Sequence, residues 1–97
     1  MDQQEIILQI ENYVRKLHQG DSSGHDWYHI DRVRNLAVFI AKKENANQFI
    51  VECAALVHDV IDDKLHEDLT EQRTQLEAVL NKLLNNREEV MEIMYII

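Results

Sequence analysis

The sequence contains no proline and only two glycines among its 97 residues. Proline breaks helices and glycine weakens them, so their scarcity, together with 29% charged residues, predicts an all-helical chain. A single cysteine, Cys53, excludes an internal disulfide framework and is typical of a reducing compartment. Because Cys53 lies in an apolar stretch, we interpret it as a small core residue rather than a nucleophile.

Positive charge is also scarce, since ten Lys and Arg residues stand against eighteen Asp and Glu, giving a net charge of −8. Nucleic acids and anionic membranes are themselves negative, so this balance argues against nonspecific binding to either. No apolar run approaches the roughly 20 residues of a membrane span. The polar, acidic residues 1–5 do not resemble a signal peptide. We therefore expect a cytoplasmic protein without nucleic-acid or membrane partners.

Apolar residues recur at helical spacing in about five segments, which predicts one helical domain over residues 1–97. Helix starts are marked by capping residues. These are Asp2 with Glu5, Asp26, Asn47, and Asn86 with Glu89.

The second predicted helix carries a histidine on its apolar side. Its expected buried stripe consists of Ile30, Val33, Leu36, Ala37 and Ile40. His29 lies one turn before Val33, so it should point the same way, and Arg32 lies close to this stripe.

The last predicted helix is almost wholly apolar and ends on Met94-Tyr95-Ile96-Ile97 without a capping signal. An apolar helix end of this kind should be covered by something. Two interpretations follow: the domain is truncated at its C-terminus, which we favour, or the helix forms a homodimer.

Polar residues interrupt an apolar helix at His58 and Asp59. Burying an imidazole or carboxylate without a partner costs several kcal/mol, so either a hydrogen-bond network or a divalent metal must compensate. His29, His58 and Asp59 are able to converge on one ion, and such a donor set suits Mn, Fe, Co, Ni or Zn. Three protein ligands would leave an open position, as in catalytic sites. A His-Asp pair is common by chance, so the residue pattern alone leaves both explanations open.

Two segments carry a family resemblance: HDWYHIDRV at residues 25–33 and AALVHDV at residues 54–60. Together they resemble the HD-domain metal-dependent phosphohydrolase superfamily, in particular its small bacterial branch that hydrolyses nucleotides, including nucleoside-triphosphate pyrophosphohydrolases. The resemblance implies an HD-type helical bundle whose later helices are missing here. It also implies an ion held by His29, His58 and Asp59, with a fourth ligand, an Asp on a later helix, beyond the end of this sequence.

The activity implied by the resemblance is hydrolysis of a nucleotide or nucleoside triphosphate. A divalent ion (Mn, Mg, Fe, Co or Ni) would activate the attacking water. Asp59 would take part as a ligand, and Asp62 would orient or deprotonate the water. A solvated residue at a helix C-terminus is an equally good interpretation of Asp62.

Substrate phosphates would meet Arg32 and Lys64, with His25 as a further contact. Each has a simpler interpretation. Arg32 would form a structural ion pair with Asp31 or Asp62, Lys64 would be an ordinary surface lysine, and His25 would hold the start of the second helix.

A second hypothesis is a catalytically incomplete HD-fold module that binds a nucleotide or a protein. The missing fourth ligand favours this module for the chain as it stands. The intact His29, His58 and Asp59 favour the enzyme for the parent protein.

Overall fold

A computed structural model of the chain describes residues 2–17, 27–60 and 69–97, and within these ranges it is all-α, as predicted. No strand occurs in the described ranges. The helices are α1 (Gln3–Leu17), α2 (Trp27–Lys43), α3 (Gln48–Val57), α4 (Leu69–Leu84) and α5 (Arg87–Ile96).

Three of the predicted capping residues are confirmed. The Asp2 carboxylate accepts the Glu5 amide at 2.8 Å. The Asn47 side chain accepts the Ile50 amide, and the Asn86 side chain accepts the Glu89 amide, both at 3.2 Å. Each bond satisfies an amide that the first turn of a helix leaves without an intrahelical acceptor. The predicted cap Asp26 lies outside the described residues.

The connections after α2 and α4 use asparagine in the left-handed region. Asn45 has φ 57° and Asn85 has φ 51°. Asparagine tolerates this conformation better than most residues do, so it ends a helix where glycine is absent. The short connection through Asn45 makes α2 and α3 a helical hairpin.

Helix α3 lies at the centre of the bundle and packs against α1, α2 and α5. Most of its residues are buried, which is expected of a helix whose residues are mostly apolar. The fully buried side chains of this core include Leu56 on α3 and Ile10, Ile30, Leu80 and Ile93 on the other helices. Cys53 belongs to this core, as predicted, and burial raises the pKa of its thiol to about 12, assisted by the charges of Glu52 and Glu89.

The predicted buried stripe of α2 is partly wrong. Ile30 is fully buried, but Leu36 is 60% and Ile40 49% exposed. The apolar arc of α2 is wider than the face that the other described helices cover. The face that is buried instead passes through Ile30 and Ala41, with Arg34 between them.

Helix α5 is buried on one side only. Val90, Ile93 and Met94 face the core, whereas Tyr95 and Ile96 are exposed. The two predictions for what covers the exposed side, a further part of the domain or a second copy of the chain, stay predictions. No helix in the described parts of the chain is long and apolar enough to cross a membrane.

Candidate metal centre

The α2–α3 hairpin brings the predicted ligands together at its open end. His29 lies in the first turn of α2, while His58 follows the last residue of α3. Helix α3 ends at Val57, so His58 and Asp59 stand in a turn rather than on the helix that the sequence suggested. Because the start of α2 and the end of α3 meet at the same end of an antiparallel hairpin, residues far apart in sequence become neighbours.

Asp59 lies between the two imidazole rings. Its Oδ1 is 3.2 Å from His58 Nε2, and its Oδ2 is 3.9 Å from His29 Nε2. The ring centroids of the two histidines are 6.3 Å apart, with the planes tilted by 52°. One ligand atom from each residue lies within 4.8 Å of the others. The predicted convergence of His29, His58 and Asp59 is therefore present in the fold.

A hydrogen bond to the backbone fixes the orientation of the His58 ring. Its Nδ1 lies 2.5 Å from the carbonyl oxygen of Ala55, one turn earlier. A carbonyl oxygen only accepts hydrogen bonds, so Nδ1 carries the proton and Nε2 is directed at Asp59. This is the arrangement in which metal-binding histidines are usually held, with one ring nitrogen donating to a backbone carbonyl and the other presented to the ion.

The donor set fits a divalent transition metal. It offers two imidazole nitrogens and a carboxylate oxygen, and two imidazoles make Mg²⁺ the least natural choice. Ligand atoms bound to one such ion at about 2.0–2.2 Å lie roughly 3–4 Å from each other. The observed separations, up to 4.8 Å, are only slightly larger. The side chains of His29, His58 and Asp59 are 42%, 32% and 19% exposed, so an ion and a ligand are able to reach them. The same geometry also accommodates the alternative, a charged His58 hydrogen-bonded to Asp59.

Of the other predicted site residues, Arg32 is the one within the described ranges. Arg32 is exposed, and the carboxylate of its proposed partner Asp31 instead binds Arg34. Asp62, Lys64 and His25 lie outside the described residues, so their roles stay predictions.

Arg34 is a charged residue that the sequence analysis did not predict to be important. Its Nη1 donates to Glu11 at 2.7 Å and to Glu52 at 3.0 Å, and its Nη2 donates to Asp31. Burial lowers the pKa of Arg34, but these carboxylates outweigh burial and raise it above its usual value. Helical spacing could have indicated that Arg34 is partly buried, because it lies one turn after Ile30 and therefore shares its face of α2.

An apolar groove of about 440 Å³ adjoins the candidate metal centre on the His58 side. It lies between α2, α3 and the end of α5, and His58 forms part of its wall. Its other lining residues are Val33, Ala37, Val51, Ala54, Ala55, Ile96 and Ile97. The candidate metal centre is thus polar on one side and borders an apolar surface on the other.

Fold and site together define an all-α helical bundle with a His, His, Asp cluster at one end of its central hairpin. No family model matches the chain. The chain is similar to YpgQ of Bacillus subtilis (strain 168), described as an uncharacterized protein, with 56% identity over 57 residues. That match covers 59% of this chain and 28% of YpgQ.

The fold is also similar to the crystal structure of Bacillus subtilis YpgQ in complex with ADP, with a TM-score of 0.71 and 37% sequence identity. This similarity covers 97% of the chain and 48% of YpgQ, so the chain spans about half the length of that structure. A protein of similar fold therefore binds a nucleotide.

Proposed function

We propose that this chain carries the metal-binding part of an HD-type phosphohydrolase that acts on a nucleotide. The observation that carries the proposal is the convergence of His29, His58 and Asp59 within 4.8 Å, with the His58 ring held by the Ala55 carbonyl. A shared ion accounts for the approach of His29, from a different helix, to the His58–Asp59 pair.

Each residue has a distinct role in this proposal. His29 and His58 would present Nε2 to the ion, and Asp59 would supply an oxygen and offset part of the charge. A bound divalent ion would supply Lewis-acid chemistry, lowering the pKa of a water and drawing charge from a phosphoryl group. Ala55 keeps His58 in the orientation that this binding needs.

Further contacts follow from the family resemblance. Asp62 would orient the attacking water, and Arg32, Lys64 and His25 would meet the phosphates. Arg32 is exposed and so is available to a ligand.

A nucleotide is the substrate class that we favour for two reasons. The similar protein YpgQ was crystallised in complex with ADP. In addition, a chain of net charge −8 repels phosphates unless local cations attract them. A divalent ion beside a few basic side chains would provide that attraction without a basic surface.

Metal analysis and a hydrolysis assay test the proposal together. We expect near-stoichiometric Mn, Fe, Co or Ni in the purified protein, and release of phosphate or pyrophosphate from nucleoside triphosphates. His58→Ala should abolish both metal retention and hydrolysis. Glu88→Gln, which changes an exposed carboxylate on α5, serves as the control and should leave both unchanged. Equal hydrolysis by the wild type and His58→Ala would refute the proposal.

A nucleotide-binding module without turnover is the second candidate, because the ADP complex of YpgQ requires binding only. Calorimetry separates the two candidates. ADP binding that survives His58→Ala, in a protein that hydrolyses no nucleotide, would favour the module.

A further inference from the structure

Arg34 connects three helices, and two of them, α2 and α3, position the residues of the candidate metal centre. It lies on α2, and its Nη1 reaches Glu52 on α3 and Glu11 on α1. Its Nη2 binds Asp31, two residues beyond His29 on the same helix. The side chain is only 15% exposed, and all three carboxylates are partly covered. These bonds are therefore less weakened by solvent than ordinary surface ion pairs are.

The geometry of the candidate centre depends on the α2–α3 pairing. His29 is supplied by α2, whereas His58 and Asp59 follow α3. A small rotation or slide between these helices would change the distance from His29 Nε2 to Asp59, which is 3.9 Å. The Arg34–Glu52 bond is a directional polar contact across this helix pair, at 3.0 Å. The surrounding apolar contacts are less directional and fix the register less tightly.

The charge balance of this cluster points to more than general stabilisation. One guanidinium stands against three carboxylates, which leaves an excess of negative charge at a half-buried position. Replacing a partly buried ion cluster with apolar residues is often neutral or stabilising, so such clusters are weak stability devices. In contrast, a planar guanidinium group that binds carboxylates on several helices fixes the relative orientation of those helices.

Building on the proposed function, we infer that Arg34 is a positioning residue: through Glu52 it sets the placement of His29, on α2, against His58 and Asp59, which follow α3. The contact with Glu11 serves a different purpose, because α1 contributes no residue to the cluster of His29, His58 and Asp59. The two glutamates therefore form a natural matched pair. Both are partly buried and both accept from the same nitrogen, but only Glu52 joins the two helices that supply the ligands.

The test compares Glu52→Ala with Glu11→Ala. In each variant Arg34 retains two carboxylates, so no guanidinium is left buried without a partner. We expect Glu52→Ala to weaken Co²⁺ affinity, measured by titration of the Co²⁺ absorption bands, by about tenfold, the low end of what residues supporting metal ligands contribute. Glu11→Ala should change this affinity less than about twofold on the same scale. Both should lower the urea midpoint to a similar extent.

A second readout does not depend on metal. The imidazole NMR signals of His29 and His58 in the metal-free protein should shift in Glu52→Ala and stay in place in Glu11→Ala. Equal Co²⁺ affinity in the two variants, or affinity losses that only follow their losses of stability, would overturn the inference. Absence of Co²⁺ binding by the wild type would instead overturn the proposed function. In that case the NMR signals of the two rings are the sole test of the positioning role of Arg34. Unchanged signals in both variants would reject that role.

Discussion

His58 donates its Nδ1 proton to the carbonyl oxygen of Ala55 at 2.5 Å, and its Nε2 consequently faces Asp59. The ring thus has one nitrogen committed to the fold and one available for chemistry. The separation of these two roles is directly testable.

Asparagine at position 58 should separate the structural bond from the ligand. Its amide nitrogen is able to occupy the place of Nδ1 and donate to Ala55, but nothing replaces Nε2. We expect His58→Asn to lose metal binding as His58→Ala does. Compared with His58→Asn, His58→Ala should also lose about 1 kcal/mol of unfolding free energy, which is the usual contribution of one hydrogen bond. Urea unfolding of the metal-free variants measures the difference, and equal stabilities would show that the Ala55 bond contributes nothing.

Asp59→Asn should weaken metal binding without disrupting the fold. An amide keeps the shape of the side chain but lacks the negative charge that offsets a divalent cation, so we expect a loss of roughly 10- to 100-fold in affinity. Isothermal titration with Mn²⁺ or Co²⁺ measures it, and circular dichroism verifies the helix content. Glu88→Gln provides the control for loss of a carboxylate elsewhere, and an affinity drop of the same size in both would contradict a specific role for Asp59.

Cys53 should be inert in the folded protein and should make stability depend on alkaline pH. Its thiol has a pKa raised from 9.0 to about 12, chiefly by burial. The unfolded chain therefore releases this proton at lower pH than the folded chain, and stability falls as pH rises from about 9 to 12. The slope approaches about 1.4 kcal/mol per pH unit for one proton. Comparing urea midpoints of the wild type and Cys53→Ala across this range measures the effect. Rapid alkylation of the native thiol at neutral pH would argue against its burial.

Two leucines should differ sharply in their contribution to stability. Leu80 is fully buried on α4, whereas Leu36 is 60% exposed on α2. We expect Leu80→Ala to cost about 2–5 kcal/mol, as deletions in packed cores do. Leu36→Ala should change the free energy of unfolding by no more than about 0.5 kcal/mol. Chemical denaturation measures both. A large loss from Leu36→Ala would mean that this face is covered in solution by another surface, and its dependence on protein concentration would identify self-association.

The exposed end of α5 gives the homodimer hypothesis its own test. Tyr95 and Ile96 present apolar surface to solvent. If two copies pair through this surface, Ile96→Glu should convert a dimer to a monomer in light scattering. Thr74→Glu, at an exposed position on α4, controls for added charge. A wild type that is monomeric at all concentrations would reject the dimer.

Local signals in the sequence were enough to locate much of this fold. Asp2, Asn47 and Asn86 marked three helix starts, because capping depends only on residues within one turn. The burial of Cys53 also followed from its apolar neighbours. The convergence of His29 with His58 and Asp59 was anticipated by the HD resemblance more than by the residue pattern alone.

The predictions that failed depend on long-range packing. Helical spacing identified the apolar arc of α2 but not which part of it the neighbouring helices cover, so Leu36 and Ile40 were wrongly placed inside. The sequence pattern favoured Arg32 as the functional arginine, although Arg34 is the arginine that Asp31 and two glutamates on other helices bind. Those glutamates are distant in sequence, and a pattern within one helix does not reveal them.

The placement of the ligands at the open end of the α2–α3 hairpin has a consequence for changes in chain length. One residue added within α2 between His29 and Lys43 would turn His29 by about 100° about the helix axis and carry it away from Asp59. A residue added in the connection around Asn45 leaves the angular positions of the residues within each helix unchanged. Natural variation in this protein should therefore spare the lengths of the two helices and accumulate in the link that joins them.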